Sequence, residues 1–319
     1  MTIRTLCALL ALPASLTAQM PQAPPVPPPD GFRVYLITDM EGLASVVFNR
    51  EIISGYEGER YRDQSSRDYW EHYRDILTRE VNAVIGGARR GGARSFVVNE
   101  GHGGNLFGNI LPWDLDTAAI LIRGWPKPMV MSTGLDSTAG ALMLIGGHAG
   151  AGSPSVISHN YAFDRFTVNG RVLNETGINA LVAAEYGVPV VLVSGDDVMV
   201  REAREQLGPH VVGVVTKWAI GRNAAITLSP AVVRQMLADS AAVAVRRAMR
   251  GEFRPFTLAR PYTVEFALRR SYAAELIAPV DTLSGFRLEK TGERTYRFVT
   301  GDAREMARLL DAIELVVLR

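Results

Sequence analysis

The chain has 319 residues, with 34 basic side chains against 33 acidic ones and a single cysteine, Cys7. That near-neutral balance excludes the basic footprint by which a nucleic-acid binder meets phosphate, and one cysteine excludes an internal disulfide framework. The length is enough for one large or two modest domains with a sizeable core.

Arg4, the apolar run Leu6–Leu12 and Leu16-Thr17-Ala18 before Gln19 read as an export signal over residues 1–18. The apolar run is too short to anchor in a bilayer, so a periplasmic or extracellular protein with no membrane span is expected. Residues 19–30, rich in proline from Pro21 to Pro29, read as a stiff extended tether. Arg4 is the only charged residue in 1–18, so cleavage leaves basic and acidic residues balanced and removes Cys7. Lysine occurs only at Lys127, Lys217 and Lys290, which reads as composition bias.

Residues 31–225 alternate strand and helix patterns and predict an α/β domain, a mostly parallel sheet flanked by helices. Arg33–Thr38 is a buried-strand run. Ser66–Ala88 carries Trp70, Tyr73, Leu77, Val81 and Val84 at helical spacing, and Ser95–Asn99 is the next strand. A strand, a helix and a strand at this connection length predict a parallel pair. Ala118–Arg123 and Ala141–Ile145 are further strands, and Asn169-Gly170 predicts a type I′ hairpin turn. Thr176–Tyr186 reads as a helix before the strand Val188–Val193. Residues 226–319 read as a smaller α+β domain: a helix over Ala231–Arg250, a strand over Tyr262–Leu268, a hairpin around Thr291-Gly292 and a helix over Asp302–Leu315.

In an open parallel sheet, ligands bind beyond the carboxyl ends of the strands. Asp39 and Glu41 follow the first strand, His102 the second, and His148 the strand ending at Gly146-Gly147. Asp39 and Glu41 are two residues apart, so an extended segment aims both to one side. The glycines around the two histidines let the backbone turn sharply and come close to a metal. Each group has a plainer reading alone: Asp39 as a turn former, a Gly-His as a loop histidine, Glu175 as a first-turn acid favouring a helix dipole. Asp196-Asp197 reads as a helix cap and stays outside the site. Together, carboxylates and imidazoles at strand ends without thiolate suit zinc, with manganese or cobalt as substitutes. A metallo-hydrolase, a dimetal phosphoesterase or esterase, and a noncatalytic metal-binding protein all use such a set. No lysine flanks the motifs to hold phosphate.

Thr38-Asp39-Met40-Glu41-Gly42, Val97-Val98-Asn99-Glu100-Gly101-His102, Gly146-Gly147-His148-Ala149, Ser153-Pro154, Ser158-His159, Asn174-Glu175-Thr176-Gly177-Ile178-Asn179 and Gly195-Asp196-Asp197 occur in that order. In this the chain resembles the M55 metallopeptidases, the D-aminopeptidase family. The resemblance implies that Asp39, Glu41, His102, His148 and Glu175 are the ligands of a two-zinc centre bridged by Asp39, and that His159 is catalytic. It implies an aminopeptidase acting on short peptides, D-amino-acid dipeptides among them, and a homo-oligomer, a decameric ring. Two ions about 4 Å apart can share a water and polarise a carbonyl. That leaves acid/base or electrostatic work to His159 in place of nucleophilic attack. Where the family commonly has Asp-Ser before the first ligand histidine, this sequence has Glu100-Gly101. The signal and tether are additions to the family pattern.

Overall fold

The computed structural model describes residues 25–27, 29–53, 64–103, 108–269 and 287–317. The export-signal reading of residues 1–18 and the first part of the tether lie outside them. Among the described residues, no helix is long and apolar enough to cross a membrane.

Strand β1 (Arg33–Thr38) is buried along its whole length, as expected of a strand covered on both faces and paired on both edges. It pairs in parallel with β2 (Ser95–Glu100) on one side and β4 (Ala139–Gly147) on the other. Adding β3 (Ala119–Ile122), β7 (Val190–Asp196), β8 (Val212–Gly221) and β9 (Ala224–Thr227) gives seven strands in the order β3-β2-β1-β4-β7-β8-β9. All neighbours are parallel except the β8–β9 hairpin.

The short helix α1 (Asn49–Ile52) follows β1, and longer helices cover both faces. On one, α2 (Gln64–Gly91) and α5 (Pro230–Met249) pack Leu77, Val81, Val84, Leu237 and Val245 against Val34, Leu36 and Val98. On the other, α3 (Glu175–Ala184) and α4 (Asp197–Leu207) pack Ala180, Ala183, Val198 and Ala203 against Tyr35, Ile37 and Leu144. Caps fix the helix starts: the Asn174, Asp196 and Ser229 side chains accept from the backbone N–H of Gly177, Met199 and Val232. Asp196 is thus the cap the sequence suggests.

The smaller sheet runs β11-β12-β10-β5-β6, with β5 (Phe163–Val168), β6 (Arg171–Val172), β10 (Tyr262–Leu268), β11 (Glu289–Lys290) and β12 (Thr295–Thr300), all antiparallel. The Asn169-Gly170 turn forms with φ of 52° and 77°, as a type I′ turn requires. Its strands do not extend the α/β sheet, however. They join β10, so the smaller sheet draws on both sides of residue 225, while α5 from beyond that point packs on α2. The reason is apolar cover: Phe163 and Phe166 bury against Phe266, Tyr296, Leu181 of α3, and Met306 and Leu310 of α6 (Ala303–Val317). A contact between segments a hundred residues apart leaves no local trace in sequence.

Candidate metal centre

Because β2, β1 and β4 are neighbours, with Thr38 in register with both Glu100 and Ile145, their carboxyl ends open at one rim. Asp39 and Glu41 leave β1 there, His102 leaves β2 and His148 leaves β4. Glu175 comes from elsewhere, as the first residue of α3 after the β5–β6 hairpin. The rim is bonded tightly: Asp39 N–H donates to Ile145 O at 2.8 Å, Gly42 N–H to Gly146 O at 2.7 Å, and Gly101 N–H to Thr38 O at 2.7 Å. A Cβ on Gly42 would stand 2.1 Å from Gly147 O, and one on Gly146, at φ 75°, 2.2 Å from Asp39 O. Among the described residues nothing lies within 4 Å of such a Cβ on Gly103, so close approach governs Gly42, Gly101 and Gly146 and not every glycine of the motifs.

All five ligand candidates converge, and His159 stands beside them. Asp39 faces two ways: Oδ1 lies 3.3 Å from His102 Nδ1, and Oδ2 lies 3.5 Å from His148 Nε2. Glu41 Oε2 is 3.0 Å from His102 Nδ1, and Glu175 Oε2 is 3.5 Å from His148 Nε2. His159 Nε2 is 3.9 Å from Glu41 and 4.0 Å from Glu175. Among the described residues, three overlapping groups could each hold an ion: Asp39-Glu41-His102, Asp39-His148-Glu175 and Glu41-His148-His159.

The outer nitrogen of each ring is spoken for by a backbone carbonyl: His102 Nε2 by Ile52 O at 2.8 Å, His148 Nδ1 by Ala149 O at 3.0 Å, and His159 Nδ1 by Ile157 O at 2.9 Å. A carbonyl only accepts, so each outer nitrogen carries the hydrogen. In a neutral ring the inner nitrogen then turns a lone pair toward carboxylate oxygens. Lone pairs against anions call for a cation between them, and anchored outer N–H groups are how metal-ligating histidines are oriented.

Burial pushes the Asp39 carboxyl up to about 7, with the Glu41 charge adding to it. Burial opposes the charges on Glu41 and His102, but their attraction holds Glu41 well below and His102 well above the usual ranges. Three buried carboxylates in one pocket are short of positive charge. Without a metal, protons on His102 and His148 supply that positive charge.

A family model described as D-aminopeptidase matches residues 32–312. The chain belongs to the M55 peptidase family. A D-aminopeptidase of Bacillus subtilis (strain 168) is 35% identical over 277 residues, 86% of this chain and 93% of that protein. The solved structure of the Zn-dependent D-aminopeptidase DppA from Bacillus subtilis, described as a self-compartmentalizing protease, superposes with a TM-score of 0.78 at 30% identity, covering 90% of this chain and 98% of that one.

Within the M55 pattern, the Glu100-Gly101 departure now has a structural account. The buried Glu100 carboxylate accepts from Ile110 N–H at 2.8 Å and so supports the segment around residue 110, leaving His102 to Glu41 and Ile52. Gly101 has no room for a side chain, since a Cβ would lie 2.7 Å from Thr38 O. The segment carrying His159 is stitched down by acids outside the centre. Glu202 accepts from Gly150 N–H and the Ser153 hydroxyl, and Asp196 from Val156 N–H and the Ser155 hydroxyl. Ile157 sits at φ 50°, a costly conformation for a β-branched residue, and its carbonyl holds the His159 ring. Two residues set aside as composition bias also belong here: Lys127 donates to Asn99 Oδ1 at 2.6 Å and to Glu100 O, and Lys217 lies buried under the Asp39–Gly42 loop.

Proposed function

We propose that the protein is a zinc-dependent aminopeptidase that releases the N-terminal residue of short peptides, D-amino-acid dipeptides among them. The observation that carries this reading is the state of the three imidazoles, each with its outer N–H tied to a carbonyl and its inner nitrogen against carboxylate oxygens. Asp39, Glu41, His102, His148 and Glu175 would hold two ions. Nitrogen and oxygen donors without thiolate suit zinc, and manganese or cobalt could use the same set.

Bound there, zinc supplies a Lewis acid for the scissile carbonyl and a water whose pKa falls to about 7. The chain supplies the rest. His159, with Nδ1–H on Ile157 O, presents a lone pair at Nε2 that can take a proton from the attacking water and pass it to the leaving amine as the C–N bond breaks. The stack against His148 fixes the plane of that ring, and the stitched segment 149–161 fixes its height over the carboxylates. We also read the protein as exported, on the strength of Arg4, Leu6–Leu12 and Leu16-Thr17-Ala18. A homo-oligomer is the assembly we expect, a decameric ring by family resemblance; the self-compartmentalizing description of the Bacillus subtilis relative supports it.

The test is elemental analysis of the purified protein beside turnover of D-Ala-D-Ala, an L-Ala dipeptide and a chromogenic phosphate diester. Zinc at about two per chain with peptide cleavage is the expected result. Cleavage of the diester alone points to a phosphoesterase, and bound metal without turnover points to a noncatalytic binder. N-terminal sequencing of protein recovered outside the cytoplasm should begin at Gln19.

A further inference from the structure

Lys217 is an odd place for a cation. It stands in β8, a strand that delivers no carboxylate or imidazole to the centre, and it is wholly buried. Its Nζ donates to Glu41 O and Val46 O at 2.5 Å each and to Leu43 O at 2.9 Å. An ammonium has three donors, and all three go to the loop that starts at Asp39-Met40-Glu41. Next to it, Thr216 Oγ1 donates to Gly42 O at 2.6 Å. The loop is therefore held from two sides: its N–H groups at Asp39 and Gly42 bond β4, and its carbonyls at Glu41, Gly42, Leu43 and Val46 bond β8. Among the described residues no carboxylate oxygen lies within 4 Å of the Lys217 ammonium, so backbone carbonyls are its direct partners while Asp196, Glu41, Glu80 and Glu51 act on its charge from farther off. A methionine of similar length could fill the same space with no charge to bury.

Resting on the reading of the centre as a zinc site, we propose that Lys217 is a positioning residue: its ammonium fixes the backbone of Glu41 so that the carboxylate stands at His102 Nδ1. Two opposed effects make the test one of sign. As a nearby positive charge, the ammonium repels a cation held by Glu41, so its loss on electrostatic grounds alone tightens zinc binding. As a clamp, its loss frees the Glu41 backbone and weakens zinc binding.

The experiment is Lys217→Met in the full chain, with zinc affinity measured by competition against a chromogenic chelator, melting of the metal-free protein, and kcat and KM. The expected result is zinc binding at least about tenfold weaker, with kcat reduced and KM little changed. Equal or tighter zinc binding overturns the proposal, whatever the melting temperature does, because a merely structural lysine moves the melting point alone. Should Lys217→Met fail to fold, Thr216→Val removes the adjoining anchor on Gly42 O and must weaken zinc several-fold in a folded protein; unchanged affinity there overturns the clamp equally. Absence of zinc from the wild-type protein would instead remove the functional reading beneath it.

Discussion

The rings of His148 and His159 stack with centroids 3.8 Å apart and planes 14° from parallel. Two imidazoles this close do not both carry charge cheaply. Against the cost of burial, Glu175 and Asp39 take His148 up to about 10, while burial and the charge on His148 push His159 down to about 4. The pair thus divides into one ring committed to the carboxylates and one left neutral with a lone pair at Nε2. His159→Ala should accordingly keep the wild-type zinc content and lower kcat by about 10²–10⁴-fold, the usual worth of a positioned acid or base. Elemental analysis beside turnover checks this; zinc lost in step with activity would make His159 a ligand.

Among the described residues Asp39 is the one carboxylate within 4 Å of both His102 and His148, whereas at that distance Glu41 pairs with the first and Glu175 with the second. Asp39→Ala should therefore empty the centre, while Glu41→Ala and Glu175→Ala should each retain about one ion per chain. Chelation of the wild-type protein should abolish turnover and zinc should restore it. If all three variants keep the same metal content, Asp39 does not bridge.

The parts of the centre that could be read from sequence were those that end strands. β1, β2 and β4 are covered on both faces, so they appear as unbroken apolar runs, and a carboxylate or Gly-His following such a run is conspicuous. Glu175 has no such marker: it reaches the rim through α3 and the small sheet, and only the order of motifs pointed to it. Lys217 was opaque for another reason. Its partners are three carbonyls, which every residue has, so no side-chain pattern announces the bond. The Asn169-Gly170 turn was legible because both its residues need positive φ, yet nothing local tells β5 that its neighbour is β10. Asp196 was legible as a cap; its second role, bonding the segment before His159, depends on a loop forty residues away.

Close packing at the rim makes Gly42 a sharper probe than any ligand. A Cβ there would meet Gly147 O at 2.1 Å, and that atom is backbone of a central strand with no rotamer to give. Gly42→Ala must push the Asp39–Glu41 loop off β4, lengthening the Gly42 N–H bond to Gly146 O. Zinc affinity should fall more than about tenfold and the protein should lose on the order of 1–3 kcal/mol of stability. Gly103→Ala, whose Cβ meets nothing within 4 Å among the described residues, should leave both within error. Matching effects from the two substitutions would mean that the glycines act through flexibility and not through contact.

Glu80 of α2 offers a pH test away from the metal ligands. It is wholly buried, and burial outweighs the pull of Lys217, the Ala44 backbone and Arg234, raising its carboxyl to about 8 from 4.5. In the folded protein it stays protonated where the unfolded chain has already released its proton. The stability it contributes is whole below pH 4.5 and is lost as pH rises toward 8, since the folded state then binds more protons than the unfolded one. Between those limits the wild-type protein should lose about 1.4 kcal/mol per pH unit relative to Glu80→Gln, which cannot titrate. Urea unfolding of both metal-free proteins at several pH values from 5 to 8 measures that difference. A gap that stays flat across the series would mean that Glu80 is ionised in the fold.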